Sequence, residues 1–287
     1  MIEGYEIRLS CVPDEVEAIE TWLFDQGAAS VSLVDAADQP LLEPGVGETP
    51  LWDDITVCAY FPGDSKRLAQ TLADQHAPVG TVHAVRQRQW ERAWMDNFKP
   101  MDFGRGLWVV PTHQDPPPQA DVILRLDPGL AFGTGTHPTT SMCLKNLAKN
   151  PPRRQSVLDF GCGSGILAIA SALLGASTVG AVDNDPQALL ATADNARLNG
   201  VSDRIQVMDV VESQQRFNLI IANILANILI EYAPMLRQSL AAGGVLILSG
   251  ILAEQRDSVV SAFAPLLIVD QTQQDEWIAL TLGTPPC

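Results

Sequence analysis

One stretch decides the fold of this chain: Val157-Leu158-Asp159-Phe160-Gly161-Cys162-Gly163-Ser164-Gly165-Ile166. Its first half is a β-like run, and its second half is a glycine-rich turn that leads into a helical pattern. Glycines let a ligand approach the backbone amides, and the positive end of the following helix favours an anionic group such as a carboxylate. The stretch therefore predicts a ligand-binding turn with Gly161 and Gly163 at its centre.

An acidic residue follows the next predicted strand. Residues 178–182 are β-like, and Asp183 comes directly after them, 22 residues beyond Gly161. A carboxylate in this place can accept hydrogen bonds from both ribose hydroxyls of a nucleoside. The turn and the carboxylate together predict a nucleoside cofactor.

The spacing of the glycines favours one nucleoside cofactor over another. Gly161, Gly163 and Gly165 form Gly-x-Gly-x-Gly, whereas the pyrophosphate of a dinucleotide is accommodated by Gly-x-Gly-x-x-Gly. The acidic Asp159, just before the turn, suits the methionine ammonium group of S-adenosylmethionine and would repel a pyrophosphate. These residues favour S-adenosylmethionine over NAD, and hence methyl transfer.

Strands and helices alternate from residue 156 onward, which is typical of a doubly wound parallel α/β sheet. Seven strands are predicted, the number in the Rossmann-like class I methyltransferase sheet, whose last strand is antiparallel. They cover residues 156–160, 178–182, 204–208, 217–222, 244–249, 266–271 and 276–282. The catalytic domain is expected over residues 100–287.

The first part of the chain has a different pattern. Residues 1–88 read as β-α-β-β-α-β, the order of a small α+β ferredoxin-like domain. Residues 89–99 follow as a linker helix in which Trp90, Trp94 and Phe98 share one face. Anchoring to a neighbouring domain explains these tryptophans better than a direct substrate role.

The charge and composition exclude several classes of protein. The chain has 34 acidic and 18 basic residues, a net charge of −16, which disfavours direct nucleic-acid binding and attracts basic partners, although such a charge is also ordinary for a soluble enzyme. No apolar run is long enough to span a membrane, and the amino terminus does not resemble a signal peptide. We expect a cytoplasmic protein, with the monomer as the default state.

The cysteines and histidines give no sign of a metal site. The five cysteines include no Cys-x-x-Cys pair, and no two of the four histidines stand at metal-ligand spacing. Buried reduced thiols are the expected state of the cysteines, and no metal is expected.

A second glycine-rich segment lies upstream, over residues 126–140. It lacks the Lys-Ser/Thr pair of a phosphate-binding loop, so a flexible lid over the cofactor is the better interpretation. His137, which precedes Pro138 at a predicted helix start, has two interpretations. It could act as a general base, or it could anchor the loop, and anchoring is favoured.

The strand predicted over residues 217–222 leads into Asn223-Ile224-Leu225, at the sheet edge where a methyl acceptor must lie. Enzymes that methylate planar amides or adenine amines carry Asn/Asp-Pro-Pro-aromatic here. Aliphatic residues instead favour a flexible amine such as lysine, with Asn223 orienting that amine. The alternative is that Asn223 only ends the strand.

In this order, these segments resemble the ribosomal protein L11 methyltransferase family, PrmA. The resemblance extends to the linker, to residues 99–104 and to residues 249–252, and so covers most of the chain. It implies a small domain that grips the ribosomal protein and a catalytic domain that methylates lysine ε-amines and the N-terminal α-amine. It also implies which residues contact the cofactor: Thr140, Gly161, Asp183 and Asn223, with Phe132 and His137 lining the site.

Two other functions fit the same motifs. The first is a methyltransferase for another protein or a small molecule, for which residues 1–88 would be irrelevant to turnover. The second is a non-catalytic ribosomal adaptor that binds the cofactor only as a sensor. Deletion of residues 1–88 tests the first alternative, and cofactor binding without methyl transfer to any basic protein would support the second.

Overall fold

A computed structural model describes residues 2–37, 51–76, 78, 80–86, 98–127, 135–211 and 214–284. The chain divides into two compact units, Met1–Ala93 and Trp94–Cys287. Most of the predicted linker helix, and the predicted cofactor contact Phe132, lie outside the described residues. The last two linker positions, Phe98 and Lys99, are not helical, and Pro100 disfavours helical backbone at Lys99, the residue before it.

The amino-terminal unit has the element order β-α-β-β-α-β. Its elements are β1 (Ile2–Cys11), a 3-10 turn (Pro13–Glu15), α1 (Val16–Asp25), β2 (Ser30–Asp35), β3 (Ile55–Pro62), α2 (Lys66–Gln75) and β4 (Thr81–Arg86). The strands pair antiparallel in the order β2-β3-β1-β4. Alternation along β1 sends Ile7 and Leu9 inward to join Leu23 and Phe61, so the unit has its own core.

The second unit begins with a small sheet that the sequence patterns did not predict. Its strands are β5 (Met101–Asp102), β6 (Leu107–Val110) and β7 (Val122–Arg125). Runs of two to four residues are too short to show a reliable period. Leu107, Val109 and Leu124 from this sheet are fully buried and extend the core of the unit.

A seven-stranded sheet forms the centre of the second unit, in the order β10-β9-β8-β11-β12-β14-β13. The strands are β8 (Ser156–Phe160), β9 (Thr178–Val182), β10 (Ile205–Met208), β11 (Phe217–Asn223), β12 (Leu240–Leu252), β13 (Leu267–Gln274) and β14 (Trp277–Gly283). Strands β8 to β12 run parallel, and β14 runs antiparallel to both of its neighbours. β12 is longer than the predicted 244–249, because its pairing with β14 resumes beyond a bulge and continues to Leu252.

Helices cover both faces of this sheet. They are α3 (Pro138–Lys149), α4 (Ile166–Leu173), α5 (Pro186–Leu198), α6 (Ala226–Gln238) and α7 (Arg256–Ala262), with a 3-10 turn at Ala253–Gln255. Neighbouring residues in β8 belong to opposite cores: Val157 packs with α3 and α4, whereas Leu158 packs with α6 and α7. Burial on both faces explains the unbroken apolar runs of these strands.

Three further properties concern the described residues only. None of their helices is long and apolar enough to cross a membrane. They contain no group of three potential metal-binding side chains. The cysteines among them, Cys11, Cys58, Cys143 and Cys162, are buried free thiols.

Candidate active site

A cavity of about 770 Å³ opens at the carboxyl ends of β8, β9 and β11. Its volume falls within the range of roughly 300–1,000 Å³ typical of small-molecule sites. β8 lies between β9 and β11, so the connection after β8 runs to one side of the sheet and the connection after β10 crosses to the other side. Such a reversal separates the loops that follow the strands and creates a crevice for a ligand. Gly161, Gly163, Asp183, Asn223 and His137 all line this cavity, as the sequence predicted of a single site.

The glycine turn packs tightly against the residue that follows Asn223. Gly161 has φ +78°, and a Cβ added there would lie 2.3 Å from Cγ2 of Ile224. Gly250, also at φ +78°, approaches Ile224 from β12, where an added Cβ would lie 2.4 Å from the Ile224 carbonyl oxygen. Both contacts are too short for any side chain. Two glycines therefore allow the ends of β8 and β12 to close around Ile224.

Helix α5 holds the glycine turn from behind. The Thr192 hydroxyl donates a hydrogen bond to the Gly163 carbonyl at 3.1 Å, and the Asn195 amide donates to the Ser164 carbonyl at 2.8 Å. A Cβ on Gly165, the residue that caps α4, would lie 2.8 Å from the Thr192 side chain. These bonds fix the turn before any ligand binds. The sequence predicted backbone amides open to a ligand, but the Gly161 and Cys162 amides both donate to the Val182 carbonyl.

Asp183 is bonded directly to the glycine turn. Its Oδ2 accepts a hydrogen bond from the Gly163 amide at 2.9 Å, and its Oδ1 accepts one from the Asp185 amide at 3.0 Å. Each carboxylate oxygen has a second acceptor site. The side chain is thus fixed in the cavity wall with the capacity to accept bonds from a pair of ligand hydroxyls.

Asp159 lies deeper than its position just before the turn suggests. Its side chain is 0% exposed, and it is not among the described residues that line the cavity. Oδ2 accepts a hydrogen bond from the Ala168 amide at 2.9 Å, whereas Oδ1 has no hydrogen-bond partner among the described residues. Burial, and secondarily the charge of Asp183, raises the pKa of Asp159 to about 7. An unpartnered buried acceptor behind the turn fits a ligand that carries a cationic donor, as S-adenosylmethionine does.

Asn223 is the last residue of β11, and its side chain lines the cavity. Its Nδ2 donates a hydrogen bond to the Thr140 hydroxyl oxygen at 3.1 Å. Thr140, in the first turn of α3, is 1% exposed and does not belong to the cavity wall that the described residues form. The structure therefore brings Thr140 to Asn223, and the contact with the cofactor that the resemblance implies stays a prediction.

His137 caps helix α3. Its Nδ1 lies 2.7 Å from the Thr139 hydroxyl and accepts a longer bond, 3.4 Å, from the Thr139 amide. Its ring meets the Trp277 ring edge-on, with centroids 5.2 Å apart. Burial lowers the pKa of His137, and Glu276 partly offsets this. The cap and the ring contact are what the anchoring interpretation of His137 requires.

The sequence patterns missed several residues of the cavity wall, among them Trp277, Tyr232 and Val210. Trp277 reaches the site because β14 pairs with the end of β12, an arrangement that no local motif reports. Tyr232, on α6, lies with its ring centroid 5.2 Å from that of Phe160. Val210 and Leu225 are apolar wall residues that are 65% and 49% exposed. Exposed apolar residues in a cavity wall are typical of sites for flat, apolar ligand groups.

A smaller cavity, of about 390 Å³, lies elsewhere on the same sheet. Ser156, Thr178 and Phe217, at the amino ends of their strands, contribute to its wall. It contains none of the site residues that the sequence predicted.

Substitution of Asp183 tests the nucleoside-binding part of the site. Asp183→Asn places an amide beside the Gly163 N–H donor and removes the charge, so we expect S-adenosylhomocysteine to bind about 10- to 100-fold more weakly. Calorimetric titration measures this directly. Asp194→Asn, on the exposed surface of α5, is the matched control and should bind like the wild type. Equal affinity of the Asp183 variant and the wild type would contradict the assignment.

Comparisons with known proteins show which family the chain is similar to. The chain matches the family described as ribosomal protein L11 methyltransferase (PrmA) over residues 4–284. A protein of that name from Marinobacter nauticus is 46% identical, over 96% of this chain and 97% of the relative. Another, from Azotobacter vinelandii, is 45% identical with the same coverage of both chains.

A solved structure is similar as well. The ribosomal protein L11 methylase from Lactobacillus delbrueckii subsp. bulgaricus superposes with a TM-score of 0.60 and 34% identity, over 65% of this chain and 99% of that one. Membership of a methyltransferase family confirms the predicted cofactor, S-adenosylmethionine. The chain belongs to the ribosomal protein L11 methyltransferase family.

Proposed function

We propose that this chain transfers methyl groups from S-adenosylmethionine to lysine ε-amines and the N-terminal α-amine of ribosomal protein L11. One observation carries the proposal. Asp183 and Gly163, suited to the nucleoside, line the same cavity as Asn223, suited to the acceptor. The names of the relatives, which specify ribosomal protein L11, support the choice of substrate.

Several parts of the cofactor would have a complementary group at this site. Asp183 would accept hydrogen bonds from the ribose hydroxyls. The Gly161 and Cys162 amides donate to the Val182 carbonyl and the Gly163 amide donates to Asp183, so the turn would approach the ligand through its backbone surface and not through free amides. Asp159 would face the ammonium group from behind the turn. Val210 and Leu225 would flank the adenine ring. Phe132 stays a predicted contact outside the described residues.

The acceptor half of the site has to bind an amine in its neutral form. When bound, the cofactor supplies a methyl group on a sulfonium, so that the C–N bond forms as the C–S bond breaks and sulfur keeps the electron pair. Trp277 and Ile224 make the nearby wall apolar, which lowers the pKa of an amine and favours loss of its proton to water. Asn223 would hold the nitrogen in line with the methyl group. His137 would hold the Trp277 ring in place in the cavity wall.

We propose that the amino-terminal unit, as a ferredoxin-like domain over residues 1–88, recognises the protein substrate. This part has fifteen acidic residues against five basic ones, and so contributes more than half of the net charge of −16 from less than a third of the chain. Such a surface attracts a lysine-rich protein and raises the rate of encounter. A ribosomal protein substrate also agrees with the predicted cytoplasmic location.

Mass spectrometry of substrate proteins tests this function. Purified large-subunit ribosomal proteins are incubated with the chain and S-adenosylmethionine, and intact masses are followed over time. We expect increases in methyl-group steps confined to L11, and fragmentation should place them on lysines and the N-terminal amine. Modification of a different protein would overturn the substrate. Cofactor binding with no modified protein would instead favour a small-molecule enzyme or a sensor.

A further inference from the structure

We propose that Thr192 is a positioning residue for cofactor binding, which orients the carboxylate of Asp183 through the backbone of Gly163. Thr192 belongs to helix α5 and is not among the described residues that line the cavity. The inference rests on the ribose-binding role of Asp183 in the proposed function. It assigns part of the selectivity for ribose hydroxyls to a side chain that lies behind the site.

The first step of the argument is that Thr192 is a polar residue in an otherwise apolar position. The buried side of α5 carries three small residues one turn apart, Ala188, Thr192 and Ala196. Thr192 is 0% exposed. A valine would fill the same space without a polar group, so the hydroxyl needs a hydrogen-bond partner to offset its burial. Helical threonines often bond a carbonyl one turn back, but this hydroxyl reaches another segment of the chain, the glycine turn.

The second step concerns the two sides of Gly163. The Thr192 hydroxyl donates to the Gly163 carbonyl at 3.1 Å, and the Gly163 amide donates to Oδ2 of Asp183 at 2.9 Å. Glycine has the greatest backbone freedom of any residue, and Gly163 has φ +53°. With its carbonyl held by Thr192, the residue has less freedom to turn its N–H away from the carboxylate. The Thr192 hydroxyl therefore helps to aim the donor that holds Asp183.

The third step is that the same helix holds the other oxygen of Asp183. Oδ1 accepts a hydrogen bond from the amide of Asp185, the residue that caps α5. Thr192 lies six residues after Pro186, the first residue of α5, or about 9 Å along the helix axis. One rigid helix thus holds Oδ1 through its cap and Oδ2 through Gly163. A carboxylate held at both oxygens keeps one plane, which directs its remaining acceptor sites.

Packing keeps the Thr192 side chain itself in place. A Cβ on Gly165 would lie 2.8 Å from both Oγ1 and Cγ2 of Thr192, so the backbone of Gly165 lies against both branches of that side chain. The same hydroxyl lies 3.3 Å from Sγ of Cys162, the residue before Gly163. A branched side chain has few rotamers, and this contact leaves it little room to change. Both the methyl group and the hydroxyl contribute to the position of the oxygen.

The experiment measures how strongly the site selects for ribose hydroxyls. Calorimetric titrations use S-adenosylhomocysteine and its 2′-deoxy and 3′-deoxy analogues. Thr192→Val keeps the shape and removes the hydroxyl, whereas Thr192→Ser keeps the hydroxyl. The matched control is Thr281→Val. Thr281 is also buried, accepts a hydrogen bond from the Asn146 amide at 2.9 Å and does not line the described cavity wall.

The wild type should bind at least one deoxy analogue about 10- to 100-fold more weakly than S-adenosylhomocysteine, the range for a hydrogen bond to a charged group. We expect Thr192→Val to bind S-adenosylhomocysteine about 3- to 10-fold more weakly than the wild type does. The penalty for the missing hydroxyl should shrink by a similar factor, because a misdirected carboxylate bonds that hydroxyl less well. Thr192→Ser should keep most of the discrimination, and Thr281→Val all of it.

A double variant gives an independent check. Asp183→Asn already removes the carboxylate on which Thr192 is proposed to act. Adding Thr192→Val to Asp183→Asn should therefore weaken the binding of S-adenosylhomocysteine by less than about twofold further. Two independent, multiplying losses would contradict an action through Asp183.

The outcomes separate this inference from the function on which it rests. Equal discrimination by the wild type and Thr192→Val would overturn the inference alone. Equal losses of discrimination in Thr192→Val and Thr281→Val would indicate a general effect of removing a buried hydroxyl and would also overturn it. A wild type that binds all three ligands equally would overturn the ribose-binding role of Asp183 and the inference with it. A chain that behaves as expected here and never methylates L11 would overturn the proposed substrate and leave this role of Thr192 standing.

Discussion

The Gly161→Ala variant is expected to lose cofactor binding. Its free energy of unfolding should be about 2–5 kcal/mol lower than that of the wild-type chain. Two causes add. An alanine at φ +78° strains the backbone, and its Cβ would overlap Cγ2 of Ile224 at 2.3 Å. Relief of this overlap requires the turn or the end of β11 to move, and both line the cofactor cavity.

A second substitution separates these two causes. Ile224→Ala removes the Cγ2 methyl group with which the new Cβ would overlap. The loss in free energy of unfolding of the double variant, Gly161→Ala with Ile224→Ala, should therefore be about 1–3 kcal/mol smaller than the sum of the losses in the two single variants. The matched comparison is Gly250→Ala. Its overlap is with the backbone of Ile224, at 2.4 Å from the carbonyl oxygen, which Ile224→Ala leaves in place. No recovery is expected there.

Denaturant unfolding of the five variants and the wild type measures both cycles. A third glycine, Gly243, has φ +72° with open space around its Cβ position, and Gly243→Ala reports the backbone strain alone. Similar interaction energies in the Gly161 and Gly250 cycles would contradict the packing described at Ile224.

The pH dependence of stability is expected to reveal the buried carboxyl group of Asp159. Its pKa is raised from 3.8 to about 7 in the folded protein. The folded state then binds more protons than the unfolded state between these values, so the contribution of Asp159 to stability falls as the pH rises through this window and is level above it. Between pH 5 and pH 7 the loss is about 2 kcal/mol.

The comparison uses Asp159→Asn, which cannot titrate. We expect the free energy of unfolding of the wild type, minus that of Asp159→Asn, to fall by about 2 kcal/mol from pH 5 to pH 7. Asp194→Asn, at an exposed position, should show no such trend against the wild type. Saturating S-adenosylhomocysteine should flatten the wild-type profile, because its ammonium group would compensate the carboxylate. Parallel profiles for the wild type and Asp159→Asn would show that the carboxyl group does not titrate in this range.

Much of the sheet could be predicted from the sequence because its strands are continuous apolar runs bounded by turns. The predicted strands 156–160 and 178–182 agree with β8 and β9. The predicted strand 217–222 falls one residue short of the end of β11. The three-stranded sheet at Met101–Arg125 was missed, because its strands are short and their burial depends on packing from elsewhere in the unit.

The site residues that could be predicted are those that directly follow a predicted strand, because one local segment then determines where they lie. Gly161, Asp183 and Asn223 each follow a predicted strand, and the parallel topology brings strand ends together. Trp277 was missed because its position depends on antiparallel pairing with β12. The depth of Asp159 depends on α4, which covers it. Such residues are assembled by tertiary structure, which a local pattern does not record.

A crystal structure of the chain with S-adenosylhomocysteine tests most directly that one cavity serves cofactor and acceptor. The ribose hydroxyls are expected within hydrogen-bond distance of Asp183, the ammonium group near Asp159, and the sulfur atom facing Asn223 with open space between them. A nucleoside bound in the smaller cavity at Ser156, or one whose ribose lies away from Asp183, would contradict it.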